Sequence, residues 1–154
     1  MRRKDREISE IKEIEKIISG CDTCNVSFAA GNVPYLVTMN FGYAGGVKPV
    51  LYFHCAPEGK KIEMIGKNNY VCFGMDTDHA IYKGEKGCDW GMNFSSVLGF
   101  GNIFIINDEA EKFSGLTHIM NQYGGSGTYT FEEKVLARTI VLRLEISEMT
   151  AKRK

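Results

Sequence analysis

The sequence lacks an excess of charge of either sign, with 19 basic side chains set against 19 acidic ones. No general field draws such a chain to nucleic acid or an anionic membrane, although a local cluster can still hold a small anion. It also lacks any apolar run near the roughly 20 residues that a membrane-crossing helix needs. The N-terminus, Met1 to Glu7, is charged with no apolar segment behind it, which argues against a secretory leader and predicts a cytoplasmic protein. Several signatures of common enzyme classes are missing. No Gly-x-Gly-x-x-Gly opens a helix after a strand, and no Walker loop or Gly-x-Ser-x-Gly elbow occurs. No repeat or linker divides the chain. Its five cysteines form an odd set without a leader, which suggests reduced thiols rather than a disulfide framework.

What is present fits one domain over residues 1–154, with 44% hydrophobic and 25% charged residues. Ile8, Ile11, Ile14, Ile17 and Ile18 recur at helical spacing, with Ser9 to cap the start and Gly20 to end it. They predict an amphipathic helix within residues 1–20. The period then changes to two. Strands are predicted over 26–30, 33–41, 50–55, 70–75, 92–106 and from 140 onward. On the second, Tyr35, Val37, Met39 and Phe41 share one face, and Leu36, Thr38 and Asn40 the other. Gly99 and Gly101 mark bends or bulges in the long fifth strand. Short helices are predicted after Glu58 and near Phe131–Ala137. A longer one over 108–123 is capped by Asp108, with Phe113, Leu116, Ile119 and Met120 on one face. The polar stretch 76–89 reads as a loop, and residues 150–154 as a solvated tail. Hairpin-linked strands favour a mainly β, antiparallel barrel with flanking helices over a parallel sheet.

The most informative segment is Leu51-Tyr52-Phe53-His54-Cys55-Ala56-Pro57-Glu58-Gly59-Lys60-Lys61. A strand delivers a histidine, then a turn opens a helix. Gly59 lets the backbone approach a ligand, and Lys60 and Lys61 occupy the first helical turn, where free N–H groups already favour an anion. Lysine opposes the helix dipole there, so two of them hint at a bound phosphate. The alternative is a solvated, accidentally basic helix start. His54 reads either as a half-buried histidine paired with a neighbour or as a hydrogen-bond partner of a ligand. Thr38 and Asn40 can present polar groups along an extended backbone to a planar heterocycle, or simply face water. Ser95 and Ser96 offer hydroxyls beside a bend, as serines at kinked strands often do. Cys21-x-x-Cys24 lacks a second ligand pair for zinc and follows a helix instead of preceding one, so buried structural thiols are expected and no metal site.

Along nearly its whole length the chain resembles the pyridoxamine 5′-phosphate oxidase-related FMN-binding split-barrel proteins, within them the nitroimidazole-resistance subgroup. The resemblance lies in four segments in the same order, namely residues 33–43, 53–61, 96–101 and 136–144, with Cys88-Asp89-Trp90 ahead of the third. It implies a six-stranded antiparallel split barrel that forms a homodimer, with FMN in a groove between subunits. Carried over by position, Val37, Thr38, Met39 and Asn40 line the edge of the flavin ring. His54, Gly59, Lys60 and Lys61 lie around the phosphate and ring, and Ser95, Ser96 and Val97 add contacts beside the flavin. The family often has a basic residue just before Ser96, where this chain has Phe94-Ser95.

That resemblance implies a flavin-dependent oxidoreductase acting on a small electrophile such as a nitroaromatic, with NAD(P)H as the candidate donor. A flavin carries the redox chemistry, so no conventional acid–base constellation is required. Trp90, Phe94 and Tyr43 can stack on a planar group or serve as ordinary packing aromatics. The competing readings are a non-catalytic flavin carrier or sensor, and a protein that holds haem or a deazaflavin in the same groove, with His54 as a possible haem ligand.

Overall fold

The computed structural model describes residues 3–154. Eight strands are present among them: β1 (Glu7–Ile8), β2 (Cys24–Ala30), β3 (Val33–Met39), β4 (Gly42–Ala44), β5 (Val50–Cys55), β6 (Tyr70–Tyr82), β7 (Gly91–Ile106) and β8 (Ile140–Arg153). Four α-helices connect or flank them: α1 (Ile11–Ser19), α2 (Lys60–Lys67), α3 (Glu109–Gly124) and α4 (Glu133–Arg138). All pairings are antiparallel, in the order β3-β2-β6-β7-β8-β5-β4, and β1 pairs with the end of β8. The two end strands, β3 and β4, are consecutive in sequence and joined only by Asn40 and Phe41. The sheet therefore curls back on itself without a ladder across the seam.

The alternation read from the sequence sets which face turns inward. Val26 and Phe28 of β2, Leu51 and Phe53 of β5, Val71 and Phe73 of β6, and Leu142 and Leu144 of β8 are all fully buried. Large apolar side chains buried in this way stabilise the fold by roughly 1.5–3 kcal/mol each. Helix α1 adds Ile14, Ile17 and Ile18 to the same core. Helix α3 covers part of the outer face, where Ile119 and Leu116 pack on Tyr52, Ile106 and Val141. Two glycines are required by close approach. A Cβ on Gly101 would lie 2.0 Å from the Glu145 carbonyl oxygen, and one on Gly42 would lie 2.3 Å from the His118–Ile119 peptide.

Several expectations need correction. The sheet has two strands beyond the expected six, because β1 finds the end of β8 and the residues after Phe41 find β5. The stretch 76–89 is not all loop. β6 runs on to Tyr82, since its backbone pairs with β7 from Asp76–Ser96 to Tyr82–Gly91, with a register shift between Thr77 and Ala80 at which Asp78 takes φ +60°. Ladder hydrogen bonds outweigh the polar composition there. Residues 150–154 are not a solvated tail: β8 extends to Arg153, Ala151 is buried, and β7 and β1 pair with it from either side. The N-terminal helix is shorter than residues 1–20. Residues 1 and 2 lie outside the described residues, Ile8 belongs to β1, and Ser9 does not cap α1, whose N-cap is Glu10 without a side-chain bond. Asp108 does cap α3, accepting from the Glu111 N–H at 2.8 Å. On that helix Phe113 and Met120 are exposed, so the buried face is narrower than expected.

Candidate functional site

The predicted site residues fall into two places on this chain. The first is the corner where β5 hands over to α2. Gly59 is the N-cap at φ +126°, and no side chain caps the helix start. A Cβ at Gly59 would meet nothing within 4 Å, so the corner is open. The Lys60 ammonium sits over the Tyr35 ring of β3, 4.7 Å from its centroid. Lys61 lies beside Cys55, where burial pushes the thiol pKa up and the nearby ammonium partly offsets that. His54 is exposed rather than half-buried, and it stands opposite Val141 in the β5–β8 ladder.

The second place is the outer face of the sheet. The Thr38 hydroxyl donates to Asn25 Oδ1 at 2.6 Å. Asn25 in turn lines a groove of about 380 Å³ with Gly74, Ser96, Val97, Thr150 and Lys152. The ladder sets Asp76, Ser96 and Lys152 abreast on β6, β7 and β8. Asp76 is held by His79 at 2.6 Å. Lys152 has no ion-pair partner among the described residues, and its ammonium lies 5.1 Å from the Phe94 ring centroid. Lys152 therefore brings a positive charge next to Ser96 from across the sheet, where the chain itself offers Phe94-Ser95.

Not every predicted residue turns toward these places. Met39 is buried, and Val37 packs against the core, so only their backbone can face a ligand. Ser95 is fully buried, with its hydroxyl taken by Arg153 Nε at 3.0 Å. Asn40 is exposed just past the last β2–β3 ladder pair, Cys24–Met39. Sequence reasoning missed Asn25 and Lys152. Both sit at outward positions of strands, but their proximity to Ser96 depends on register between distant segments.

Cys21 and Cys24 are buried as expected, and burial pushes both thiols up, Cys21 to about 12. Among the described residues no three His, Cys, Asp or Glu side chains gather as a metal site. No helix there is long and apolar enough to cross a membrane.

The family described as pyridoxamine 5′-phosphate oxidase matches residues 10–153. The chain belongs to that family. Among solved structures, this pyridoxamine 5′-phosphate oxidase family member is similar to a candidate 5-nitroimidazole antibiotic resistance protein from Bacteroides thetaiotaomicron, with 32% identity, a TM-score of 0.82, and coverage of 96% of this chain and 86% of that one. It is also similar to the flavocytochrome Anf3 from Azotobacter vinelandii, at 18% identity and TM-score 0.81 over 100% of this chain and 72% of that chain. A third is an FAD-binding protein from Mesorhizobium loti, at 19% identity and TM-score 0.67 over 97% of each chain. Curated proteins give no significant match. The fold of this family member is accordingly the mainly β split barrel with flanking helices that the sequence predicted.

Proposed function

We propose that this family member binds FMN and uses it to reduce a small electrophile of the nitroaromatic kind, with NAD(P)H as electron donor. The observation that carries the reading is the open start of α2, where an uncapped helix terminus, Gly59 at positive φ, and Lys60 and Lys61 converge. Free N–H groups and two ammonium groups suit a phosphate dianion, since charge-assisted contacts are about twice as strong as neutral ones. The residues present thus fit the phosphate end of a flavin nucleotide. The exposed His54, the backbone of Val37 to Met39 and the exposed Asn40 side chain are the candidate contacts for its ring. A bound flavin supplies the redox chemistry, and the chain's part is to hold, orient and shield it. The 5-nitroimidazole resistance relative from Bacteroides supports the choice of substrate class, and the family supports the choice of a flavin.

A homodimer belongs to the same proposal. The α2 corner touches β3, whereas Ser96 lies on β7, three ladder steps away and so roughly 14 Å along the sheet. A second copy laid on the outer face would bring one chain's corner toward the other's groove. It would also cover Leu36 and Leu98, which are 59% and 49% exposed on that face. The first test is the absorption spectrum of the purified protein, with sedimentation velocity on the same sample. Flavin bands and a dimer support the reading. A haem or deazaflavin spectrum replaces the cofactor, and a flavin that is never turned over with NAD(P)H and nitroaromatics leaves a carrier.

A further inference from the structure

We infer that Tyr123 is a positioning residue for the flavin-facing end of β3, acting through the Phe41 amide on Asn40. The inference rests on the flavin reading above, since Asn40 is one of the ring contacts proposed there. The β2–β3 ladder ends at Cys24–Met39, so no strand neighbour holds Asn40. The next residue is fixed by three other means. The Phe41 ring is fully buried. Gly42 lies so close to the His118–Ile119 peptide of α3 that a Cβ there would overlap it. The Phe41 N–H donates to the Tyr123 hydroxyl at 3.0 Å.

The same hydroxyl donates onward to the Asp22 carbonyl at 2.9 Å. One phenol thus ties the α1–β2 loop to the β3–β4 junction, just past the point where the β2–β3 ladder ends. Its neighbour Gln122 makes an instructive contrast. The Gln122 amide lies 3.2, 3.3 and 3.1 Å from the carbonyls of Ile18, Ser19 and Cys21. It grips the last turn of α1 and the loop that follows, and does not reach β3. Both residues hold the same loop, but only Tyr123 holds the backbone next to Asn40. A backbone amide left without its partner is free to swing, and a ring contact displaced by a fraction of an ångström loses strength.

The test is FMN titration of wild type, Tyr123→Phe, Gln122→Leu, Asn40→Ala and the Tyr123→Phe/Asn40→Ala double variant, with thermal midpoints and the visible flavin band read on each. Tyr123→Phe is expected to weaken FMN about tenfold, the size of one hydrogen bond, and to shift the flavin band. Gln122→Leu is expected to lower the midpoint while leaving FMN affinity and band as in wild type. The double variant is expected to bind no more weakly than Asn40→Ala alone, because the two act in series. Additive losses, equal flavin effects from Gln122→Leu, or no flavin effect from Tyr123→Phe overturn the inference. Wild-type protein that binds no FMN overturns the flavin reading itself, and this inference with it. Hydrogen exchange on the wild type guards against a Tyr123→Phe variant that fails to fold: the Phe41 amide must exchange slowly without flavin, and rapid exchange overturns the inference.

Discussion

Lys60 rests its ammonium on the face of Tyr35, and this contact ties the start of α2 to β3. Two candidate flavin-binding segments, far apart in sequence, therefore meet at one corner. At an exposed site such a contact is worth about 0.5–1 kcal/mol, too little to hold the lysine against a stronger anionic partner. Lys60 is thus placed near the corner and still available to a phosphate.

Reversal of both charges, Lys60→Glu with Lys61→Glu, is expected to weaken FMN by about 100-fold or more. Riboflavin, which has no phosphate, should lose far less. Fluorescence titration with the two flavins separates a phosphate contact from a general disturbance of the corner. Unchanged FMN affinity removes the phosphate assignment.

The ordered end of β8 predicts that truncation is harmful. A chain ending at Met149 loses the pairing of Ala151 with Val97 and of Lys152 with Glu7, and it loses the buried Ala151. The expected cost is about 3 kcal/mol or more, read as a lower urea midpoint. A truncated protein as stable as the full chain would show that these residues are a tail after all.

Two alanine substitutions should differ in sign. Gly101→Ala forces a methyl onto the Glu145 carbonyl within the β7–β8 ladder, and about 3 kcal/mol of destabilisation is expected. Gly66 lies inside α2, with nothing within 4 Å of a Cβ and no positive φ. Gly66→Ala is expected to stabilise by about 0.5–1 kcal/mol through helix propensity. Chemical denaturation of both variants checks the pair.

Stability should fall in alkali. Burial raises the Cys21 thiol from the usual 9.0 to about 12, with Asp76, Asp78 and Asp22 adding to the shift, and Cys24 is pushed up as well. The folded state thus favours the protonated thiols. Their contribution is complete below about pH 9 and is lost as the pH rises from there toward 12. Urea unfolding at pH 8, 9 and 10 should show a decline that Cys21→Ala makes shallower. A thiol reagent at pH 8 should label the exposed Cys88 in the native protein and spare Cys21 and Cys24. A flat profile to pH 10 contradicts the burial of these groups.

Much of this protein could be read directly. The alternation in β3 named its inward face, Asp108 marked the start of α3, and Gly59-Lys60-Lys61 marked the turn that opens α2. Such signals are local, because side-chain period, capping chemistry and backbone freedom are written within a few neighbouring residues. The misreadings were of another kind. Asp76 to Tyr82 looked like loop, and Thr150 to Lys154 like tail, because their polar composition says nothing about a partner strand elsewhere.

The sequence by itself determined the fold class, the inward face of β3 and the residue types gathered at the α2 corner. Only the tertiary structure decided that Lys152 stands beside Ser96, that Ser95 is spent on Arg153, and that Tyr123 braces the end of β3. These arrangements depend on strand register and on the path of α3 past the β3–β4 junction. Both follow from how the whole core packs, and no stretch of a few residues encodes them.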